Sequence, residues 1–256
     1  MQMEMDTGTV VSEANRILAQ LKPRETSLRL MGACAVRLGS PSYAPLYESL
    51  SRPLSDLDFA AFSKEARKLE PILNNLGYVQ DKRIIAFHEA QRNFYFNDAL
   101  HMKLDIFFDR LAMCHTIEFK DRLNLTFPTI PPADILLEKM QIVQIAEKDL
   151  KDSVVLFRAR QLSESDDNEI NVKYISKLLA NDWGFWYTVL TNLDKVKNYG
   201  LTLSQLSDAD KKDVSDKIES LKEKLNNEPK SFKWKMRARV GPSVKWYNDV
   251  EDLIRQ

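Results

Sequence analysis

The sequence predicts an α/β chain, more finely α+β: a mixed sheet with flanking helices over residues 1–162, followed by a helical domain over 163–256. Two observations carry this. Between Tyr78 and Phe108 apolar residues recur at every second position, whereas most of the remainder repeats at three and four. The polar, acidic stretch Ser163–Asn168 then interrupts the pattern, and beyond it only the helical period is left. A length of 256 residues with 44% apolar and 29% charged residues is enough to bury a core. The 37 basic side chains cancel 37 acidic ones, which excludes a global polyanion-binding surface but allows a local basic patch. Cys34 and Cys114 cannot build a disulfide framework, and neither has zinc-ligand spacing to another cysteine or a histidine. No stretch approaches the ~20 apolar residues that cross a bilayer, and the N-terminus lacks a leader-like run. The expectation is a cytoplasmic protein with no membrane partner.

Ser12 is expected to cap a first short helix containing Ile17, Leu18 and Leu21, ended before Pro23. Ser27–Met31 reads as a strand that turns at once into a helix through the small residues Gly32-Ala33-Cys34-Ala35. A loop with Pro41 and Pro53 leads to the strand Leu57–Phe62, and Ser63 is expected to cap a helix bearing Leu69, Ile72, Leu73 and Leu76, stopped by Gly77. Three strands follow, near Arg83–Phe87, Asn93–Phe96 and His101–Phe108. After Pro131 and Pro132 a single long helix is expected from Ala133 to about Gln161. Helices from Val172 to about Val196 and from Asp208 to Asn226 complete the chain.

Asp56 and Asp58 stand two apart at a strand start, so their side chains share one face while Leu57 and Phe59 take the other. Neighbouring carboxylates repel unless they are solvated, paired with cations or hold a metal, and oxygen ligands of this kind suit Mg²⁺. Asp105 projects from the polar side of a strand whose other face is Met102, Leu104, Ile106 and Phe108. A mid-strand carboxylate is costly without a partner. If the two strands are neighbours, three carboxylates converge on a patch able to hold divalent cations for phosphoryl or nucleotidyl displacement.

On the expected long helix, Lys139 lies among Ile135, Leu136, Ile142, Val143 and Ala146. Such a lysine either snorkels to water or reaches an anion. Asp149 could line the same site as its partner or as a base, with a solvated helix position as the alternative; Asp152 is expected to be solvated.

Gly32-Ala33 after a strand, then Arg52-Pro53-Leu54-Ser55-Asp56-Leu57-Asp58, then Lys103-Leu104-Asp105-Ile106, resemble in order the motifs of the DNA polymerase β-like nucleotidyltransferase superfamily. The segment from Ala133 through Lys139 to Asp149 and Asp152 looks like the lysine helix of its branch of abortive-infection-type toxins and their uncharacterised relatives. The resemblance spans roughly residues 10 to 160 and implies a nucleotidyltransferase-like sheet. It implies that Asp56, Asp58 and Asp105 bind two Mg²⁺ ions and that Asp105 helps deprotonate an acceptor hydroxyl. Gly32, Ala33, Arg52, Ser55 and Lys139 would lie toward a nucleoside triphosphate, which is the substrate. Asp149 would complete the catalytic set. Ala33 departs from the family's usual Ser or Gly, the interval between Gly32 and Asp56 is long, and Lys139 and Asp149 are closer than in many toxin members.

Between Lys230 and Arg239 five basic residues interleave with Phe232, Trp234 and Met236. This fits either a nucleic-acid grip or an extended segment that packs its aromatics and exposes its lysines. The histidines show no metal or triad spacing. Two functions are expected: transfer of a nucleoside monophosphate to a hydroxyl of RNA, protein or a small molecule, or a catalytically degenerate, antitoxin-like module that binds a partner.

Overall fold

The structure, a computed structural model, describes residues 6–21, 26–81 and 92–250, so the strand expected near Arg83–Phe87 lies outside the described residues. These residues form two compact units. The first runs to Leu111 and includes Glu118–Pro131; the second comprises Ala112–Ile117 and the chain from Pro132 onward. The division falls at Pro131–Pro132 rather than in Ser163–Asn168.

The first unit is a mixed α/β body. Its strands are β1 (Arg29–Met31), β2 (Asp56–Ala61), β3 (Val79–Gln80), β4 (Arg92–Asn97) and β5 (Met102–Phe108). They form one sheet in the order β1-β2-β5-β4-β3, in which β2 and β5 are parallel and every other pair is antiparallel. The outer edge of β1 is covered, because Leu30 N–H donates to the Pro128 carbonyl and Ile130 N–H to the Leu30 carbonyl. Helices α1 (Thr7–Ala19), α2 (Gly32–Gly39), α3 (Ala44–Ser49) and α4 (Ala66–Asn75) accompany the sheet. Asp6, not Ser12, caps α1: its carboxylate accepts the Thr9 N–H at 3.1 Å, so the helix opens well before the expected cap. Ser63 begins a short 3₁₀ turn rather than capping α4, and its N–H donates to Asp109. The loop between Pro41 and Pro53 folds into α3 and a preceding 3₁₀ turn. Leu28, Leu30, Leu57, Phe59, Leu104 and Ile106 are buried in the core of this unit.

Two short strands, β6 (Arg110–Ala112) and β7 (Thr116–Glu118), mark the passages of the chain from one unit to the other. The second unit is largely helical, with α5 (Pro132–Met140), α6 (Glu147–Ala159), α7 (Val172–Leu179), α8 (Trp183–Thr202), α9 (Asp208–Asn227) and α10 (Phe232–Val240). A minimal parallel pair, β8 (Leu162–Ser163) and β9 (Ile170–Asn171), interrupts them.

The helix expected from Ala133 to Gln161 is two helices. The run from Gln141 to Ala146 carries Ile142, Val143 and Ile145, whose β-branched side chains weaken helix propensity. The carbonyls freed by the break are taken up: Asn192 donates to Met140 and Ile142 oxygens at 2.9 and 2.7 Å. Likewise the helix expected from Val172 to Val196 breaks at Asp182, whose carboxylate caps α8 through the Phe185 N–H. Segment 230–239 is not extended but helical, capped by Ser231.

Candidate carboxylate site

Residue alternation on β2 places Asp56, Asp58 and Ala60 on one face of the sheet, with Leu57 and Phe59 fully buried on the other. On β5 the same alternation places Asp105 opposite Leu104 and Ile106. The two strands are adjacent and parallel, with Asp58 in register with Asp105 and Asp56 with Lys103. Register partners lie one strand spacing apart, about 4.8 Å, and share a face. The structure therefore brings Asp56, Asp58 and Asp105 together on one face of the sheet. The face becomes more buried along β2: Asp56 is exposed, Asp58 half-buried.

The turn from β1 into α2 closes over Asp58. Gly32 has φ +68°, a conformation side chains disfavour, and a Cβ there would lie 2.6 Å from an Asp58 carboxylate oxygen. Only hydrogen fits above that carboxylate, which thereby sits beside the opening turn of α2, where the helix dipole favours negative charge. Ala33 follows, its carbonyl accepting the Tyr47 hydroxyl at 3.3 Å. Ser55 donates to the Asp56 carboxylate at 3.2 Å. Arg52 instead turns back to the Pro53 carbonyl and lines a surface cleft with Arg37, Tyr47 and Glu48.

Arg92 is the residue the sequence reading missed. It opens β4, diagonal to Asp105, since Phe94 pairs with Asp105 and Arg92 with Phe107. Its guanidinium lies over the Phe94 and Phe107 rings at 4.3 and 4.5 Å and donates to an Asp105 oxygen at 2.6 Å. Burial raises the Asp105 carboxyl above its ordinary range and Asp56 adds to the rise, while Arg92 opposes both. Burial also pushes the neighbouring Cys34 thiol up to about 12, with Asp58 and Asp56 contributing, so it is no nucleophile at neutral pH. Asp109, beyond the strand, is an exposed turn residue with φ +61° that receives the Ser63 N–H.

Among the described residues no group of three or more acidic, histidine or cysteine side chains is gathered into a ready metal cage. That does not conflict with Mg²⁺ at this face. Mg²⁺ commonly uses one or two carboxylates and completes its shell with water and substrate phosphates. The all-oxygen set of Asp56, Asp58 and Asp105 has that chemistry.

Lys139 and Asp149 belong to the second unit. Lys139 is only 6% exposed, so it does not snorkel to water. Its ammonium is 3.1 Å from Asp149, 3.1 Å from Asp152 and 3.8 Å from Glu138. Burial alone would lower its pKa, but Asp152, Glu138 and Asp149 together raise it well above the ordinary lysine value. Asp152, expected to be solvated, is fully buried as the lysine's counterion. The break at Gln141–Ala146 turns α6 so that Asp149 and Asp152 both meet Lys139.

Comparison with protein-family models, curated proteins and solved structures returned no match.

Proposed function

We propose that the first unit is a metal-dependent nucleotidyltransferase domain that moves a nucleoside monophosphate from a nucleoside triphosphate to an acceptor hydroxyl. The observation that carries this reading is the register of Asp58 with Asp105 on adjacent parallel strands, beneath the helix start at Gly32. The motif order described for the sequence agrees with that placement, and with a nucleotidyltransferase-like sheet.

In the reaction the acceptor oxygen bonds to the α-phosphorus. The bond from that phosphorus to the bridging oxygen breaks, and its electron pair leaves with pyrophosphate. The hydroxyl proton passes to a carboxylate oxygen of Asp105 and then to water. Mg²⁺ would be held by carboxylates drawn from Asp56, Asp58 and Asp105, and would supply charge neutralisation for the triphosphate and acidify the acceptor hydroxyl. Gly32 lets the start of α2 pack against the Asp58 carboxylate, so phosphate carried by the cation would lie near a helix N-terminus that favours anions. Arg92 fixes the rotamer of Asp105, leaving its second oxygen for the reaction. Lys139 is given no step, because it is already engaged by three carboxylates of its own unit.

A second reading, a partner-binding module without catalysis, is favoured by one observation: Arg92 already neutralises Asp105. Incubation with α-labelled nucleoside triphosphates, Mg²⁺ and pooled RNA, protein and small-molecule acceptors separates the two. The first reading expects label transfer that disappears in Asp58→Asn. The second expects none in either protein.

A further inference from the structure

We propose that the outward face of α10 is a docking surface for an anionic lipid bilayer, which it meets lying flat rather than by insertion across the membrane. The helix is fastened to its own unit by one side. Trp234 meets the Trp186 ring edge-on at 5.0 Å, Arg237 lies over Trp183 at 4.6 Å, and Ser231 N–H donates to the Ala180 carbonyl. The opposite side bears Phe232, Met236 and Val240, spaced four apart and therefore in one row. These apolar side chains are 80%, 44% and 46% exposed, and the exposed Val244 follows just beyond the helix.

Charge identifies the occupant. Lys233, Lys235 and Arg239 are exposed and bracket the apolar row, whereas Lys245 beyond it is paired with Asp249. From Pro229 to Asn248 the chain has no acidic residue, and among the described residues no acid pairs with Lys233, Lys235 or Arg239. An apolar row bracketed by unpaired cations complements a bilayer surface that presents anionic headgroups over hydrocarbon. Nucleic acid would use the cations but not Met236 and Val240, which offer no ring for stacking. Three apolar side chains in one row also fall far short of the ~1,000 Å² that a stable protein interface needs. Adsorption to a bilayer has no such threshold, since each cation near an anionic surface contributes on its own, about fivefold in partition. The expectation of no membrane partner rested on spanning length, which does not bear on a helix lying at a surface.

The test is sedimentation of the full chain with vesicles of phosphatidylcholine, alone or mixed with phosphatidylglycerol, at low and high salt. The proposal expects binding to the mixed vesicles only, weakened by salt. Lys233→Ala with Lys235→Ala should reduce partition roughly 25-fold, and Phe232→Ser about tenfold. All three positions are exposed, so circular dichroism should be unchanged. Absence of binding to the mixed vesicles overturns the proposal. So does equal binding to neutral vesicles, full binding by Phe232→Ser, or displacement from vesicles by a single-stranded oligonucleotide whose own binding needs Phe232.

Discussion

Replacing Lys139 by Met removes the cation at the centre of the buried cluster in the second unit while keeping an unbranched side chain of similar length. The ammonium is 3.1 Å from both Asp149 and Asp152, and Asp152 is fully buried. At the effective dielectric of about 20 that suits protein sites, one such contact is worth roughly 5 kcal/mol before desolvation is subtracted. The net balance of an intact buried pair is much smaller, but removing one partner strands the other charges. Breaking a pair of this kind typically costs about 3–5 kcal/mol. Equilibrium urea unfolding followed by tryptophan fluorescence measures this cleanly, because Trp183, Trp186, Trp234 and Trp246 all lie in the second unit. Lys139→Met should destabilise that transition by about 3–5 kcal/mol, and adding Asp152→Asn should recover part of the loss. A change below about 1 kcal/mol, the scale of exposed ion pairs, would refute the assignment of Lys139 as a buried, compensated charge.

Two further outcomes follow from the geometry. Gly32→Ala places a Cβ 2.6 Å from the Asp58 carboxylate in a left-handed conformation. It should cost roughly 1–3 kcal/mol in thermal unfolding and abolish label transfer, whereas full activity would show that Asp58 is free to move aside. His115 is buried, stacked on Phe185 at 4.8 Å, with Nε2 2.9 Å from the Thr188 hydroxyl. That hydroxyl donates to the Gly184 carbonyl and receives Trp246, which leaves it as acceptor and places the imidazole proton on Nε2. Burial lowers its pKa to about 4, only weakly opposed by Asp182. Because the folded value lies below the unfolded one, the neutral form's stability is complete above pH ~6.5 and is lost progressively as pH falls toward about 4. The loss should reach roughly 3 kcal/mol and be absent in His115→Phe; an unchanged acid slope in that variant would contradict the assignment.

Much of the first unit was legible because its signals are local. The apolar run Leu57–Phe62 and the alternation across His101–Phe108 named two strands, the two-residue spacing named the face of each aspartate, and the small residues after Met31 named the strand-to-helix step. That β2 and β5 are neighbours was only a condition in the sequence, since pairing joins residues far apart in the chain; the register supplies it. Arg92 escaped notice because its role depends on a diagonal across β4 and β5, with two aromatic rings completing its surroundings. Helical periodicity continued through Gln141–Ala146, so the break in the lysine helix left no mark in spacing. What compensates that break is Asn192, fifty-odd residues on. Asp152 was misjudged for the same reason, since an unbroken helix would have turned it to solvent. At Phe232–Val240 the alternation of basic and aromatic residues suggested extended chain, yet Ser231 caps a helix whose row of four-apart residues had the better claim.

The central claim is that Asp58 and Asp105 form a divalent-cation site that a nucleotide completes. Titration of Mn²⁺, followed by its electron paramagnetic resonance signal with and without nucleoside triphosphate, tests this without knowledge of the acceptor. The account predicts weak uptake by the protein alone and tighter uptake when nucleotide is present, with the gain lost in Asp58→Asn and in Asp105→Asn. Nucleotide-independent uptake, or a gain that survives both substitutions, would contradict it.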